Sequence, residues 1–338
     1  MKHYRNFMIL PLVLLLCGCT KPKAEEHRTD LFAMDTYMEL RAWSNDDGAV
    51  LQKAAERVGE LEKSFSVTFE NSDIARINRA DGTPVQVCPD TVNVICRAKE
   101  IGDESDGALD ISLYPVTQAW GFTTEKMHVP SSKTIDTLLP LVDYRRIQIE
   151  GDTITLPAEM QLDLGSVAKG YTGDEIMRIF KENGVESAII SLGGNVQTLG
   201  SKPDGSLWKV GIVDPFSPSE NLGIVEISDK AVITSGNYER YFEENGQRYW
   251  HILDSADGYP ADNGLVSVTI IGDCGLDCDA LSTALFVEGT DQAVAHWRKR
   301  QDFGMLLVTY NGRIMISENI VHFFTNQSTM PVEVIGNE

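Results

Sequence analysis

Cations are scarce in this chain of 338 residues: 29 Lys and Arg stand against 50 Asp and Glu, for a formal net charge of −21. Affinity for nucleic acid comes largely from Lys and Arg neutralising backbone phosphates, so that class of partner is set aside. A run of about 20 apolar residues, the length a membrane-spanning helix needs, is absent. So are GxxxxGK[ST], GxGxxG after a strand, GxSxG and HExxH, which removes P-loop, Rossmann, nucleophile-elbow and zincin readings at the motif level. The six histidines do not pair at metal spacing.

What is present begins with an address segment. Lys2 and Arg5 precede an apolar run of about eleven residues, Phe7 to Cys17, which fits the core of a signal peptide. It ends in Leu16-Cys17-Gly18-Cys19, where a small residue directly before Cys19 matches the pattern cut by lipoprotein signal peptidase. Residues 1–18 are therefore expected to be a lipoprotein signal peptide, with Cys19 the lipidated N-terminus; a plain secretory signal is the alternative. Residues 19–29 are polar and patternless, as a membrane tether should be. The expected location is exported, lipid-anchored to a bacterial membrane, facing the periplasm or the cell exterior. Loss of Lys2 and Arg5 would leave a net charge of about −23. Cys88, Cys96, Cys274 and Cys278 are read as disulfides or free thiols ahead of a metal site, since zinc would want further Cys or His at matching spacing.

Hydrophobic periodicity predicts a strand over Met34–Trp43 and a helix over Asp46–Phe65. Ser72 is placed to cap a short helix, another covers Pro89–Ser105, and GALDISLYPVTQAWGF reads as a Pro-kinked helical segment. A hairpin is expected around Glu150-Gly151-Asp152, and a helix from Gly170 to Asn183 closed by Gly184. Strands follow at 187–192, 196–199, 208–213, 223–227, 231–234, 249–253 and 265–271. Then come helices at 277–287 and 291–299 and a hairpin about Asn311-Gly312. Helices and strands are segregated instead of strictly alternating. That favours an α+β fold with antiparallel sheets, organised as one compact catalytic unit.

Several stretches carry possible chemistry. In LDLGSVAKGY (162–171), Gly165 is expected to permit a special backbone turn. A helix starting near Ser166 would then aim N–H groups at an anion, with Lys169 adding a cation. Read on its own, the stretch better suits a tight turn, with Asp163 capping a helix and Lys169 in solvent. SLGGNVQTLG gives a second Gly-rich corner, where Asn195 reads as a turn residue. On a helix, Asp279 and Thr283 stand at i and i+4, two hard oxygen donors of the kind Mg²⁺ takes alongside substrate phosphates; a capping Asp with a buried Thr is the other reading. His251, placed in a strand, could take a proton near neutral pH or be a packed residue. Tyr238 and Arg240 lie beside a turn in TSGNYERYF.

Taken in order, MDTYMEL, SDIARIN, GALDISLYPVTQAWGF, LDLGSVAKGY, SLGGNV, VGIVDP, TSGNYERYF, HILDSADGYP and DALSTALFVEG resemble the ApbE family of FAD:protein FMN transferases over almost the whole chain after Leu31. The resemblance implies an ApbE-like domain over 30–325 and a tail over 326–338. It also implies Mg²⁺-dependent transfer of FMN from FAD to a Thr or Ser hydroxyl of an acceptor flavoprotein, with AMP released. The alternatives are a Mg²⁺-dependent FAD pyrophosphatase and a non-catalytic FAD-binding lipoprotein. Acceptors would be flavoprotein subunits of respiratory electron-transfer complexes. Carried over by motif position, Met34, Thr68, Ala108, Leu109, Asp110, Asp163, Lys169, Ile252 and Leu253 would contact FAD. Ser166 through its carbonyl, Asp279, Ser282 and Thr283 would hold Mg²⁺, and His251 would be the base for the acceptor hydroxyl. Thr68 stands where the family usually has tyrosine, Cys278 replaces a small residue before Asp279, and HILDSADGYP lacks the common Pro and Arg after its Asp.

Overall fold

A computed structural model describes residues 24–124 and 126–337. The expected signal peptide, Cys19 and the first part of the tether lie outside the described residues. Among the described residues, no helix is long and apolar enough to cross a membrane.

Seven helices are described: α1 (Ala49–Phe65), α2 (Asp73–Arg79), α3 (Pro89–Glu104), α4 (Tyr114–Trp120), α5 (Ser132–Leu138), α6 (Ala168–Glu182) and α7 (Gly275–Arg300). Nine strands form one sheet. In spatial order they are Glu25–Ala33, Thr36–Ser44, Ser187–Leu192, Asn195–Leu199, Ala231–Gly236, Leu265–Gly272, Gly304–Thr309, Ile314–Ser317 and Val332–Ile335. Every pairing in it is antiparallel except the last, between Ile314–Ser317 and Val332–Ile335.

The alternation of side chains along a strand explains why this sheet is covered on both faces. Ile233, Ile270 and Leu307 join one core with α3, α7 and the 160–168 segment. Their neighbours Val232, Ile271 and Leu306 join another, with Trp208, Val210, Ile212 and Val225 from a three-stranded sheet. That smaller sheet runs Phe324–Asn326, Ser217–Ile227, Trp208–Asp214. Strand Leu265–Gly272 is consequently buried at all eight positions. α1 and α6 cover the first four strands through Val50, Leu51, Ala54, Ile176 and Phe180. Antiparallel sheets flanked by helices are what the sequence predicts.

Differences concentrate at element ends. Met34 and Asp35 do not open a strand; both have positive φ (50° and 57°) and form a two-residue turn between Glu25–Ala33 and Thr36–Ser44, where Ala33 pairs with Thr36. Two successive left-handed residues match the twist of a tight hairpin. The strand Glu25–Ala33 therefore begins inside the stretch read as tether. At the other end, Val332–Ile335 is an edge strand of the large sheet and not a free tail. Pro115 sits in the first turn of α4, where its missing N–H costs nothing, so it starts a helix without kinking one. The two helices expected near the C-terminus are continuous as α7 but broken at Gly289 (φ 77°, ψ 178°). All four described cysteines are free thiols.

Candidate active site

The LDLGSVAKGY turn is held against the start of α7. Gly170, in the first turn of α6, donates its N–H to Asp279 Oδ2 at 2.8 Å, and Asn195 Nδ2 donates to Asp279 Oδ1 at 3.0 Å. Asp174, one turn further along α6, accepts from the N–H groups of Gly275 (2.7 Å) and Leu276 (2.8 Å), so α6 caps α7. Gln197 Nε2 donates to the Gly170 carbonyl at 3.0 Å. Bonds to a charged carboxylate are the stronger kind, and here they join two helices and a strand. Asn195 is thus a buried ligand of Asp279 and not only a turn residue.

Gly165 differs from expectation. It is not among the positive-φ glycines; a side chain there would instead meet Asp163 Oδ1 at 3.1 Å, whose oxygen already accepts the Gly165 N–H at 2.6 Å. The turn's other N–H groups are largely spent as well. Val167 and Ala168 donate to the Leu164 carbonyl, at 3.0 and 2.8 Å, and Gly170 is taken by Asp279. The open N–H cradle expected for an anion is mostly closed, which leaves Lys169 as the turn's main attraction for phosphate.

Around Asp279 the donors are oxygens. Ser235 Oγ lies 2.7 Å from Ser282 Oγ and 3.3 Å from Thr283 Oγ1, and Ser282 also donates to the Asp279 carbonyl at 2.9 Å. Each Asp279 carboxylate oxygen has one N–H partner and keeps a lone pair. Among the described residues, no group of three His, Cys, Asp or Glu comes together as a metal cluster. One carboxylate with neighbouring hydroxyls fits Mg²⁺, which retains water and draws its other ligands from substrate phosphates. It does not fit a self-sufficient zinc centre. Ser235 went unread in the sequence, although it lies in TSGNYERYF.

His251 lies just past strand Gln247–Trp250, not inside a strand. Its N–H donates to the Arg240 carbonyl at 3.1 Å, and its Nδ1 lies 3.2 Å from the same oxygen. A carbonyl can only accept, so Nδ1 carries the proton and Nε2 keeps its lone pair. Surrounding protein, then the Arg240 guanidinium and Lys169, pull its pKa down to about 4. The carboxyl of Asp163 is pushed up by burial, opposed by the Gly165 N–H, Arg240 and Lys169. Glu239, which the sequence reading passed over between Tyr238 and Arg240, is pushed up to about 7 by the protein packed around it. Asp279 adds to that shift, while Lys169 and Arg240 oppose it. These groups share one field: Lys169 and Arg240 supply its cations, Asp163, Glu239 and Asp279 its acids.

The remaining FAD candidates divide. Met34 comes to α6, its sulfur accepting from Thr172 Oγ1 at 3.6 Å, while its N–H donates to Glu62 Oε1 at 2.7 Å. The 107–110 loop meets the 251–255 segment, where Ser255 Oγ donates to the Gly107 carbonyl at 2.7 Å, and Asp163 N–H donates to the Ile111 carbonyl at 2.9 Å. Leu109, Ile252 and Leu253 are buried in the cores, so they can offer a ligand only backbone. Asp110 spends both oxygens internally, on Ser112 (N–H 2.8 Å, Oγ 2.6 Å) and the Tyr144 N–H (3.2 Å). It shapes the loop. Thr68 remains on an exposed loop, its hydroxyl 3.0 Å from Ser66 Oγ.

Comparison with known proteins identifies the family. The sequence profile of the ApbE family matches residues 34–307. The chain belongs to the ApbE family. A relative named FAD:protein FMN transferase from Klebsiella pneumoniae (strain 342) is 35% identical over 283 residues, covering 82% of this chain and 87% of its own. One of the same name from Treponema pallidum (strain Nichols) is 31% identical over 336 residues, covering 92% and 93%. Among solved ApbE structures, the protein of Thermotoga maritima MSB8 superposes with TM-score 0.84 at 31% identity, over 88% of this chain and 99% of its own. The apo flavinyl transferase of Pseudomonas stutzeri does so with TM-score 0.81 at 28%, over 89% and 98%.

Proposed function

We propose that this chain is an FAD:protein FMN transferase, moving FMN from FAD to a Thr or Ser hydroxyl of an acceptor flavoprotein and releasing AMP. The observation that supports it is the 2.8 Å bond from Gly170 N–H to Asp279, which brings the residue following Lys169 against the carboxylate read as the metal ligand. Asp279, Ser282 and Thr283, with the Ser166 carbonyl, would hold Mg²⁺. Such an ion would supply positive charge against the phosphate oxygens of FAD.

The protein's own part is positional and acid–base. Lys169 binds pyrophosphate oxygen, while Met34 and the 107–110 loop hold the flanking parts of FAD. His251, neutral and protonated at Nδ1, accepts the acceptor's hydroxyl proton at Nε2. The oxygen thus freed forms its bond to the FMN phosphorus as the bond to the AMP oxygen breaks, and AMP leaves with the electron pair. Acceptors of the respiratory flavoprotein class, and a lipid anchor at Cys19 bringing the enzyme to them, complete the proposal; the family likeness supports the first and the Leu16–Cys19 motif the second. The test mixes purified protein with FAD, Mg²⁺ and an apo-flavoprotein domain that natively carries FMN on threonine. The acceptor should gain the mass of FMN less one water, with one AMP released, and EDTA or Asp279→Ala should stop it. Full activity in either case would overturn the metal assignment. AMP and free FMN forming equally fast without acceptor would make the chain a pyrophosphatase.

A further inference from the structure

Strand Trp208–Asp214 is an edge strand: among the described residues it pairs with Ser217–Ile227 and with no other strand. Its side chains alternate cleanly, with Trp208, Val210 and Ile212 packed into the core and Lys209, Gly211 and Val213 outward. Two clefts border it. One, of about 390 Å³, lies at its Trp208 end against Arg41, Trp43 and Lys202. The other, of about 400 Å³, lies along residues 210–213 and reaches Gly193, Gly194, Thr234, Tyr238 and Glu239. Trp43 stands 5.5 Å from Trp208, ring to ring, so the large sheet floors the groove that the edge strand walls.

The two clefts lie toward opposite ends of this strand. The second cleft ends at Glu239, which shares its field with Lys169 and Asp279, and begins among sheet residues that have no part in the chemistry. Six residues of strand, Trp208 to Val213, offer about 20 Å of edge. Open strand edges are usually blunted because they attract other chains. Here Gly194 has nothing within 4 Å of where a side chain would be, and Val213, at 37% exposure, and Pro218 give the cleft an apolar lining. The register shifts at Ile212/Val213 and Val213/Asp214 turn the strand at the point nearest the site.

We propose that the acceptor's hydroxyl-bearing segment docks here in extended form, adding a strand to the free edge of Trp208–Asp214 and delivering its Thr or Ser past Gly193-Gly194 to the His251 base. Strand addition draws affinity from main-chain hydrogen bonds and specificity from alternate side chains, which suits an enzyme that must read a short segment and release it. This rests on the FMN-transfer reading and says where the second substrate enters.

The test uses the full chain with FAD, Mg²⁺ and the same apo-flavoprotein domain. Hydrogen exchange on adding the domain should slow at alternate amides of 208–214, the ones facing the open edge. Val213→Trp, which fills the cleft from an exposed position, should lower kcat/KM for the acceptor at least tenfold while FAD affinity stays unchanged. Lys202→Glu, at the far end, should raise the acceptor KM and leave kcat alone. Unchanged exchange at 208–214 under saturating acceptor, or Val213→Trp flavinylating at the wild-type rate, overturns the docking site. So does weakened FAD binding in Val213→Trp, which would make the groove a flavin subsite. Failure of the wild-type chain to flavinylate the domain would instead bring down the transferase reading itself.

Discussion

Gly170→Ala tests whether the α6–α7 contact aligns the site. A side chain at Gly170 would meet the Gly275 carbonyl carbon at 2.6 Å and Asp279 Cβ at 2.7 Å. Carbon atoms rest at about 3.5–4.0 Å, so the helices must part by roughly 1 Å. Overpacking of this kind costs about 1–3 kcal/mol. Losing the Gly170–Asp279 bond adds about 1.5–3 kcal/mol, as for hydrogen bonds to charged groups. Alanine's better helix propensity returns about 1 kcal/mol. The net is a loss of about 1.5–5 kcal/mol, read as a lower urea midpoint at unchanged slope. Because misplacing reacting groups by 1 Å can cost about 100-fold in rate, FMN transfer should fall by that order even under conditions where the variant is folded. A Gly170→Ala protein with wild-type midpoint and rate would refute the claim that this contact sets the geometry.

Other expectations concern single groups. His251, pulled from its ordinary 6.5 to about 4, stays neutral as pH falls, so the acid limb of acceptor kcat/KM should lie near pH 4–5. The unfolded chain takes up that proton first, between about pH 6.5 and 4, so stability falls with pH across that window, and His251→Gln should flatten the fall seen in urea melts. Trp120→Phe removes the buried 2.8 Å bond from Nε1 to the Gly258 carbonyl and should cost about 1–3 kcal/mol in urea unfolding. Cys274 is exposed, yet protein around it and Asp174 push its thiol up to about 12, so it should react with a disulfide reagent at pH 8 far more slowly than a free thiol.

The sequence carried much of this because the informative signals were local. Ser72 caps α2 by accepting the Ala75 N–H at 2.9 Å, and Asn311-Gly312 joins two strands, both as their turn chemistry predicts. The spacing of Asp279 and Thr283 put two oxygen donors on one helix face, and Ser235 and Ser282 lie beside them. What the sequence hid depends on distant partners. EEHRT looks like a charged linker until the whole of Glu25–Ala33 pairs, residue by residue, with Thr36–Ser44. Met34-Asp35 lacks the glycine or asparagine that usually marks a tight hairpin. Asn195, Gln197, Asp174 and Glu239 gain their roles only when α6, α7 and two strands meet, which no spacing within one segment reveals.

The first and last described strands are the opposite margins of the nine-stranded sheet. Eight inter-strand steps of about 4.8 Å place those margins roughly 38 Å apart. Linking Ile335 directly to Glu25 in a circular permutant would therefore call for a bridge of about a dozen extended residues. Anything shorter would have to peel an outer strand from its neighbour.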